Sequence, residues 1–298
     1  MIVGDRLSCG AKTMTRKKVG LIGLGLLGSA MAERFLNAGF DVVGFDIARS
    51  RNQDLACSGG RAVDSADEVV ATCNRVVLSL PTSVEVADVL DEVANPLRSG
   101  LIIVDTTTGD PEQVAGFGER LAKIGIDYLD ATVGGSSKQV LAGDVIVMVG
   151  GMPSVFEECR DILDSFARQS FYVGPCGSGA RMKLALNLVL GLNRAVLAEG
   201  LGFARKFGLD PSATLDILKA GPTYSRVMDT KGQKMLERDF STEARLSQHL
   251  KDVRLILSAG ADCGAAMPFS LVHQNLLERL EADGLGDEDN SAIYQAFD

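Results

Sequence analysis

Six residues early in the chain, Gly23-Leu24-Gly25-Leu26-Leu27-Gly28, limit its fold more than any other stretch. They follow the apolar run Lys18-Val19-Gly20-Leu21-Ile22, which reads as a buried parallel strand. They lead into Ser29 to Leu36, where apolar residues recur at helical spacing, and Gly39 ends that helix. A second strand, Asp41 to Asp46, closes on an acid 23 residues after Gly23. Three glycines between a strand and a helix, followed by such an acid, are the context a dinucleotide fold requires. Gly23 permits the tight turn, Gly25 admits a pyrophosphate without a Cβ in the way, and Gly28 allows close helix–strand packing. The helix N-terminus offers free amides and the positive end of a dipole. Asp46 suits ribose hydroxyls and repels a 2'-phosphate, which favours NAD. Arg49 and Arg51 follow closely and keep NADP open.

The alternation then continues, with short segments at Ala62-Val63 and Ser65 to Ala71, then a strand from Arg75 to Leu80 ended by Pro81. A helix from Val84 to Ala94 precedes the strand Leu101 to Asp105, which runs into Thr106-Thr107-Thr108. Ligands of doubly wound sheets lie beyond the carboxyl ends of strands, where Leu80-Pro81 and Thr107-Thr108 fall. A helix from Pro111 to Lys123 leads to Asp127 and a strand that runs into Val133-Gly134-Gly135-Ser136-Ser137, amides and hydroxyls suited to a carboxylate. Val145 to Gly151 and Phe171 to Gly174 read as the last strands.

From Arg181 onward the strand pattern stops. Gly177-Ser178-Gly179 opens a mostly apolar run in which Lys183 and Asn187, four apart, share one helix face. A lysine in apolar surroundings loses its charge more readily, unless its stem snorkels to water. The helix is expected to run from Leu184 to about Phe207, with Gly208 as its C-cap, spanning ~38 Å. Further helices are expected at Pro211 to Lys219, Leu246 to Ala259 and Pro268 to Ala282, with a short one after an acidic loop at 283–289. Lys251 and Asp252 read as solvated charges, and His249 and His273 as structural or surface residues.

A net charge of -9 without a basic stripe argues against nucleic acid. No charge-free apolar run reaches membrane-spanning length, so no membrane partner is expected. Six scattered cysteines fit reduced thiols in a cytoplasm and give no metal spacing, so no metal is expected. The domain organisation read from these patterns is a flexible extension over 1–16 and a Rossmann-type α/β nucleotide-binding domain over 17–176. An all-α substrate and oligomerisation domain follows over 177–298, joined by the long interdomain helix. A helical half this apolar suggests a homodimer or homotetramer.

From Val19 to Ala296 the chain resembles the β-hydroxyacid dehydrogenases, the family of 3-hydroxyisobutyrate dehydrogenase and tartronate semialdehyde reductase. The glycine turn, Leu80-Pro81, Asp105 with Thr107-Thr108, and Asp130-Ala131-x-Val133 carry the likeness. So do Gly177-x-Gly179-x-x-x-Lys183-x-x-x-Asn187, Lys251-Asp252 and Gly284-x-Gly286-x-x-Asp289-x-Ser291-Ala292. The resemblance implies that Lys183 is the catalytic acid–base and that Asn187 helps hold substrate. It places Thr108 and Lys251 at the nicotinamide end of the cofactor and makes Val133, Gly134, Gly135 and Ser136 the carboxylate loop. That loop departs from the family's Asp-Ala-Pro-Val-Ser-Gly-Gly: Thr132 replaces proline, Gly134 serine and Ser136 the last glycine. Leu186 stands where the family usually has a polar residue. The expected activity is reversible hydride transfer between NAD(P) and a small β-hydroxy acid or semialdehyde. The rivals are a cofactor-binding interaction module without turnover, an imine or other carbonyl reductase on the same scaffold, and a histidine-based 2-hydroxy acid dehydrogenase.

Overall fold

The computed structural model describes residues 17–93 and 99–298. The expected extension over 1–16 and the last residue of the helix expected to end at Ala94 lie outside them. Among the described residues eight strands form one sheet: β1 (Lys18–Ile22), β2 (Asp41–Phe45), β3 (Arg61–Ala62), β4 (Arg75–Leu78), β5 (Ile102–Asp105), β6 (Asp127–Gly134), β7 (Ile146–Gly150) and β8 (Gln169–Gly174). Their order is β3-β2-β1-β4-β5-β6-β7-β8, and every pairing is parallel except β6 with β7. The helices between strands are α1 (Leu26–Asn37), α2 (Arg49–Cys57), α3 (Ala66–Thr72), α4 (Ser83–Glu92), α5 (Pro111–Ala122), α6 (Ser137–Leu141), α7 (Pro153–Glu158) and α8 (Arg160–Phe166).

Alternation along each strand divides the core. Val19, Leu21, Val77, Ile102 and Val104 face one layer, which includes Met31 and Phe35 of α1 and Ile162 and Phe166 of α8. Ile22, Val76, Leu78 and Ile103 face the other, with Val69 of α3, Leu90 of α4 and Leu121 of α5. Helices on both faces explain why the central strands read as continuous apolar runs. The short helices α6, α7 and α8 are absent from the sequence reading, because five to seven residues hold too few turns for a periodic signal.

The long helix α9 (Ser178–Lys206) has 29 residues and spans ~44 Å. It begins six residues before the apolar run suggests, because Gly177 takes φ 89° at its N-cap. Its first turn is seated on β6: the Ala180 amide donates to Asp130 Oδ2 at 2.8 Å, and Thr132 Oγ1 donates to the Gly179 carbonyl at 2.9 Å. A Cβ on Gly179 would stand 2.4 Å from the Asp130 carbonyl. Thr132, the departure from the family's proline, therefore ties the two halves together. By length and composition alone α9 passes as a membrane span. One face of it packs into the helical core, with Leu197, Ala198 and Leu201 against α10 (Pro211–Ala220), α11 (Arg226–Glu237), α12 (Leu246–Asp262), α13 (Pro268–Leu280) and a closing 3-10 segment, Asn290–Phe297, while Val189, Val196 and Phe203 stay exposed. The sequence reading has no counterpart of α11, whose mean polarity hides a buried stripe of Val227, Met228, Lys231 and Met235.

Lys231 explains the acidic tail. Its Nζ donates to both oxygens of Asp289 at 2.9 Å, and Asp289 also accepts from Ser291 N and Oγ and from the amides of Glu243 and Ala244. Burial alone would push the Asp289 carboxyl up, but the Ser291 and Lys231 bonds outweigh it and hold it at about 2. Breaking a buried pair costs about 3–5 kcal/mol where nothing else compensates the remaining charge; here Lys231 keeps Glu243 Oε2 at 3.4 Å, which sets the lower end, ~3 kcal/mol. Asp289→Ala should lower the urea-unfolding free energy by about that amount. Because the folded pKa is depressed, this stabilisation is present above the ordinary carboxylate range and fades as pH falls toward 2. Unfolding curves of the two proteins should therefore converge at acid pH.

Candidate active site

Between the strand tips and the helical half lies a cavity of about 1760 Å³. Drug-sized pockets run to roughly 1,000 Å³, so this one has room for a dinucleotide and a second small molecule. Gly23, Gly25, Leu26, Leu27, Asp46, Leu80, Pro81 and Thr108 line one end, and Gly134, Gly135, Ser136, Lys183 and Asn187 line the middle.

The glycine turn fits a pyrophosphate. Gly23 has φ 92°, and a Cβ there would stand 2.3 Å from the Ser79 carbonyl. A Cβ on Gly28 would stand 2.0 Å from the Gly23 carbonyl, so Gly28 lies beneath the turn rather than in the cavity wall. Gly25 has open space where its Cβ would be, and α1 starts there without a side-chain cap. The first intrahelical bond belongs to Ser29 N, which leaves the amides from Gly25 to Gly28 without an intrahelical partner. Leu24 is buried and holds the acid in place: its amide donates to Asp46 Oδ2 at 2.7 Å, while Ala48 N donates to Oδ1 at 2.8 Å. A carboxylate has lone pairs beyond these two for ribose hydroxyls. Arg49 and Arg51 are not in the cavity wall.

Behind the strand tips is a network the sequence reading did not anticipate. Tyr128 donates to Asp105 Oδ2 at 2.5 Å, Thr107 N donates to Asp105 Oδ1, and Leu80 N donates to Thr107 Oγ1. Burial raises the Asp105 carboxyl, with the Thr107 and Tyr128 bonds opposing. The network fixes Leu80 and Thr108 at adjacent strand ends. Lys251, from α12, reaches across to them, with Nζ 3.5 Å from the carbonyls of Pro81 and Thr108.

Lys183 is 9% exposed and donates to the Val133 carbonyl at 2.6 Å. Burial lowers its pKa from the ordinary 10.5, and the charge of Asp252 partly opposes this. Val133 itself is buried; its carbonyl, not its side chain, belongs to the site. Asn187, one turn along, donates to Asp252 Oδ2 at 3.0 Å, and Lys251 Nζ lies 3.5 Å from Asp252 Oδ1. Asp252, expected to be a solvated charge, is buried at the junction of these three residues. Burial raises its pKa, with the charges of Lys251 and Lys183 opposing. The missed signal is its spacing: Asp252 falls on the α12 face that also buries His249, Val253 and Ile256.

Ser136 lines the cavity, but its polar groups are committed elsewhere. Its hydroxyl and amide form a capping box with Gln139 at the start of α6. Ser137, beside it, also faces the cavity. His249 and His273 lie against each other in the helical half, with ring centroids 5.1 Å apart and planes tilted by 49°. Burial, the Arg194 charge and its neighbour push His249 well down, and burial and Arg194 take His273 to about 4. Among the described residues no carboxylate pairs with either ring, so the histidine–acid couple that a histidine-driven dehydrogenase needs is not formed.

Comparison with known proteins agrees with this geometry. Residues 18–174 match the NAD binding domain of 6-phosphogluconate dehydrogenase, and residues 177–297 match the NAD-binding family of NADP-dependent 3-hydroxyisobutyrate dehydrogenase. The 2-(hydroxymethyl)glutarate dehydrogenase of Eubacterium barkeri is 32% identical, over 94% of this chain and 95% of its own. Glyoxylate/succinic semialdehyde reductase 1 of Arabidopsis thaliana is 30% identical, over 94% and 98%. The cytokine-like nuclear factor N-PAC of Xenopus tropicalis is also 30% identical, but the match covers only 54% of that longer protein. Among solved structures, Mycobacterium tuberculosis 3-hydroxyisobutyrate dehydrogenase with L-serine superposes with a TM-score of 0.87 at 26% identity, covering 94% of this chain and 99% of that one. A Rossmann-type sheet with the fingerprint turn, a buried lysine at the strand tips and both halves matched in order place this chain in the β-hydroxyacid dehydrogenase family.

Proposed function

We propose that the protein reversibly oxidises a small β-hydroxy acid to the corresponding semialdehyde, with Lys183 as the acid–base. One observation carries this reading: an amine buried at the tip of β6, in the same cavity as the glycine turn. Bound NAD(P) supplies the hydride acceptor, or the donor in the reverse direction. In oxidation neutral Lys183 takes the hydroxyl proton, and in reduction its ammonium returns it. Gly134 and Gly135, beside it in the wall, hold the carboxylate with Asn187. Asn187 has one amide hydrogen on Asp252 and the other for the substrate. These contacts orient the substrate and move no proton. Asp252 acts through Asn187 and through its field on Lys183. Leu80, Pro81, Thr108 and Lys251 bound the nicotinamide end. The Asp46 carboxylate at the ribose end, with Arg49 and Arg51 outside the wall, supports NAD over NADP.

The named activities of the relatives suit this reading. 2-(Hydroxymethyl)glutarate carries its hydroxyl β to a carboxylate, and succinic semialdehyde reduction is hydride transfer of the same kind. The nuclear-factor relatives support the rival, a cofactor-binding module without turnover. The retained buried lysine–amide pair weighs against it. Val196, Phe203 and Phe207, left exposed along α9, support assembly into a homodimer or homotetramer.

Lys183→Met should lower kcat by about 10²–10⁴-fold while NADH binding, followed by its fluorescence, is retained. An unaltered kcat rules out the acid–base role. The pH dependence follows from the sign of the shift. Because the Lys183 pKa lies below 10.5, the neutral base is already present below that pH. Oxidation kcat should therefore rise with pH and level off before 10.5, while reduction falls over the same window. Asp252→Asn removes the opposing charge and should move both limbs to lower pH.

A further inference from the structure

Beyond Asn187 the cavity ends in a bay within the helical half, and the chemistry above leaves its charge unused. Arg194 of α9 is 5% exposed and lines this wall. Its Nε and Nη1 are buried, and neither finds an acceptor among the described residues. Nε2 of His249, Nε2 of His273 and Oδ1 of Asn290 are likewise buried without partners, and His249 and Asn290 share the cavity wall with Arg194. The carboxylate whose charge reaches Arg194 is Asp289, but its oxygens are already taken by Lys231, Ser291 and two backbone amides. The bay is a packed structure. A Cβ on Gly191 would stand 2.7 Å from the His249 ring, so glycine there lets the imidazoles lie against α9.

A buried guanidinium without an acceptor is costly, and an interior rarely retains one. At the wall of a ligand cavity its planar fork matches a carboxylate in two-point fashion. Lys231 is engaged by both Asp289 and Glu243, whereas the Arg194 guanidinium is a positive charge with no carboxylate bonded to it among the described residues. One carboxylate balances it; a phosphate dianion would not be balanced. Lys183, Asn187, Gly191 and Arg194, spaced four, four and three apart, lie on the same buried face of α9. The seven residues from Asn187 to Arg194 span ~10 Å of helix axis, and the arginine side chain leans back over part of that distance.

We propose that Arg194, flanked by His249 and Asn290, binds a second carboxylate at the far end of the substrate, making the enzyme selective for dicarboxylic β-hydroxy acids. The selectivity rests on the β-hydroxy acid reading above; the anion site does not.

The test compares valerate, glutarate and adipate, each bearing an α-hydroxymethyl group, as substrates of the wild type and of Arg194→Met. The wild type should prefer one of the two diacids over the monoacid by roughly 10- to 100-fold in kcat/KM, mostly through KM. In Arg194→Met that ratio should collapse toward one. Thermal unfolding supplies a readout that a merely structural arginine would not give. Without ligand the variant should melt no lower than the wild type, because an unpaired buried charge has gone. Unreactive glutarate, added to the NADH-loaded protein, should raise the wild-type midpoint and leave the variant's unmoved. A wild-type ratio near one overturns the proposal, as does a variant that loses both substrate classes equally and melts lower. If no hydroxy acid turns over while glutarate still protects only the wild type, the chemistry fails and the anion site stands. No glutarate effect on the wild type overturns the site itself.

Discussion

The seating of the first turn of α9 on β6 sets the position of every reacting group in this protein. Asp130 receives the Ala180 amide, Thr132 bonds the Gly179 carbonyl, and the missing Cβ of Gly179 permits the approach. Burial pushes the Asp130 carboxyl up to about 6, against the pull of the Ala180 amide. Strand and helix are thereby in register, and Lys183 comes to rest on the carbonyl of Val133. An amine placed this way has one neutral acceptor and little water. Its charged form loses hydration without gaining a close carboxylate, which is how a group of ordinary pKa 10.5 becomes usable as a base.

The second constraint is electrostatic and crosses between the halves. Lys251 extends from α12 to the carbonyls at the ends of two strand-tip loops, with Asp252 beside it. Asp252 in turn fixes the Asn187 amide. The same short sequence therefore braces the cofactor end and orients the substrate end. A change in the angle between the halves would disturb both together, so cofactor seating and substrate orientation are mechanically coupled.

Much of this was legible in the sequence wherever local physics dominates. The glycine turn needs little tertiary information, because Gly28 is required by a contact with Gly23 inside one strand–turn–helix unit and Gly23 by its own positive φ, although the Ser79 carbonyl after β4 also excludes a Cβ there. Lys183 and Asn187 were readable because a four-residue spacing fixes a shared face. What escaped depended on contacts distant in sequence. Asp252 looked solvated until α9 was laid against α12. Ser136 looked like a free hydroxyl until Gln139 was seen to turn back and cap it. Arg194 lay in a helix whose apolar run gave no reason to separate its inner from its outer face. The antiparallel direction of β7 had no local mark, since a buried strand looks alike run either way.

That reversal has a geometric result. With β7 and β8 running against β6, the chain returns to the level of Asp130 before α9 begins. From there α9 climbs in the same sense as β6 and projects past the strand tips. Its inward residues are met in order by anything lying in the cleft: an amine, an amide and a guanidinium. The helix behaves as a graduated rule whose zero is set at the sheet, so sliding a residue one helical turn along α9 would change which part of a bound molecule it reads.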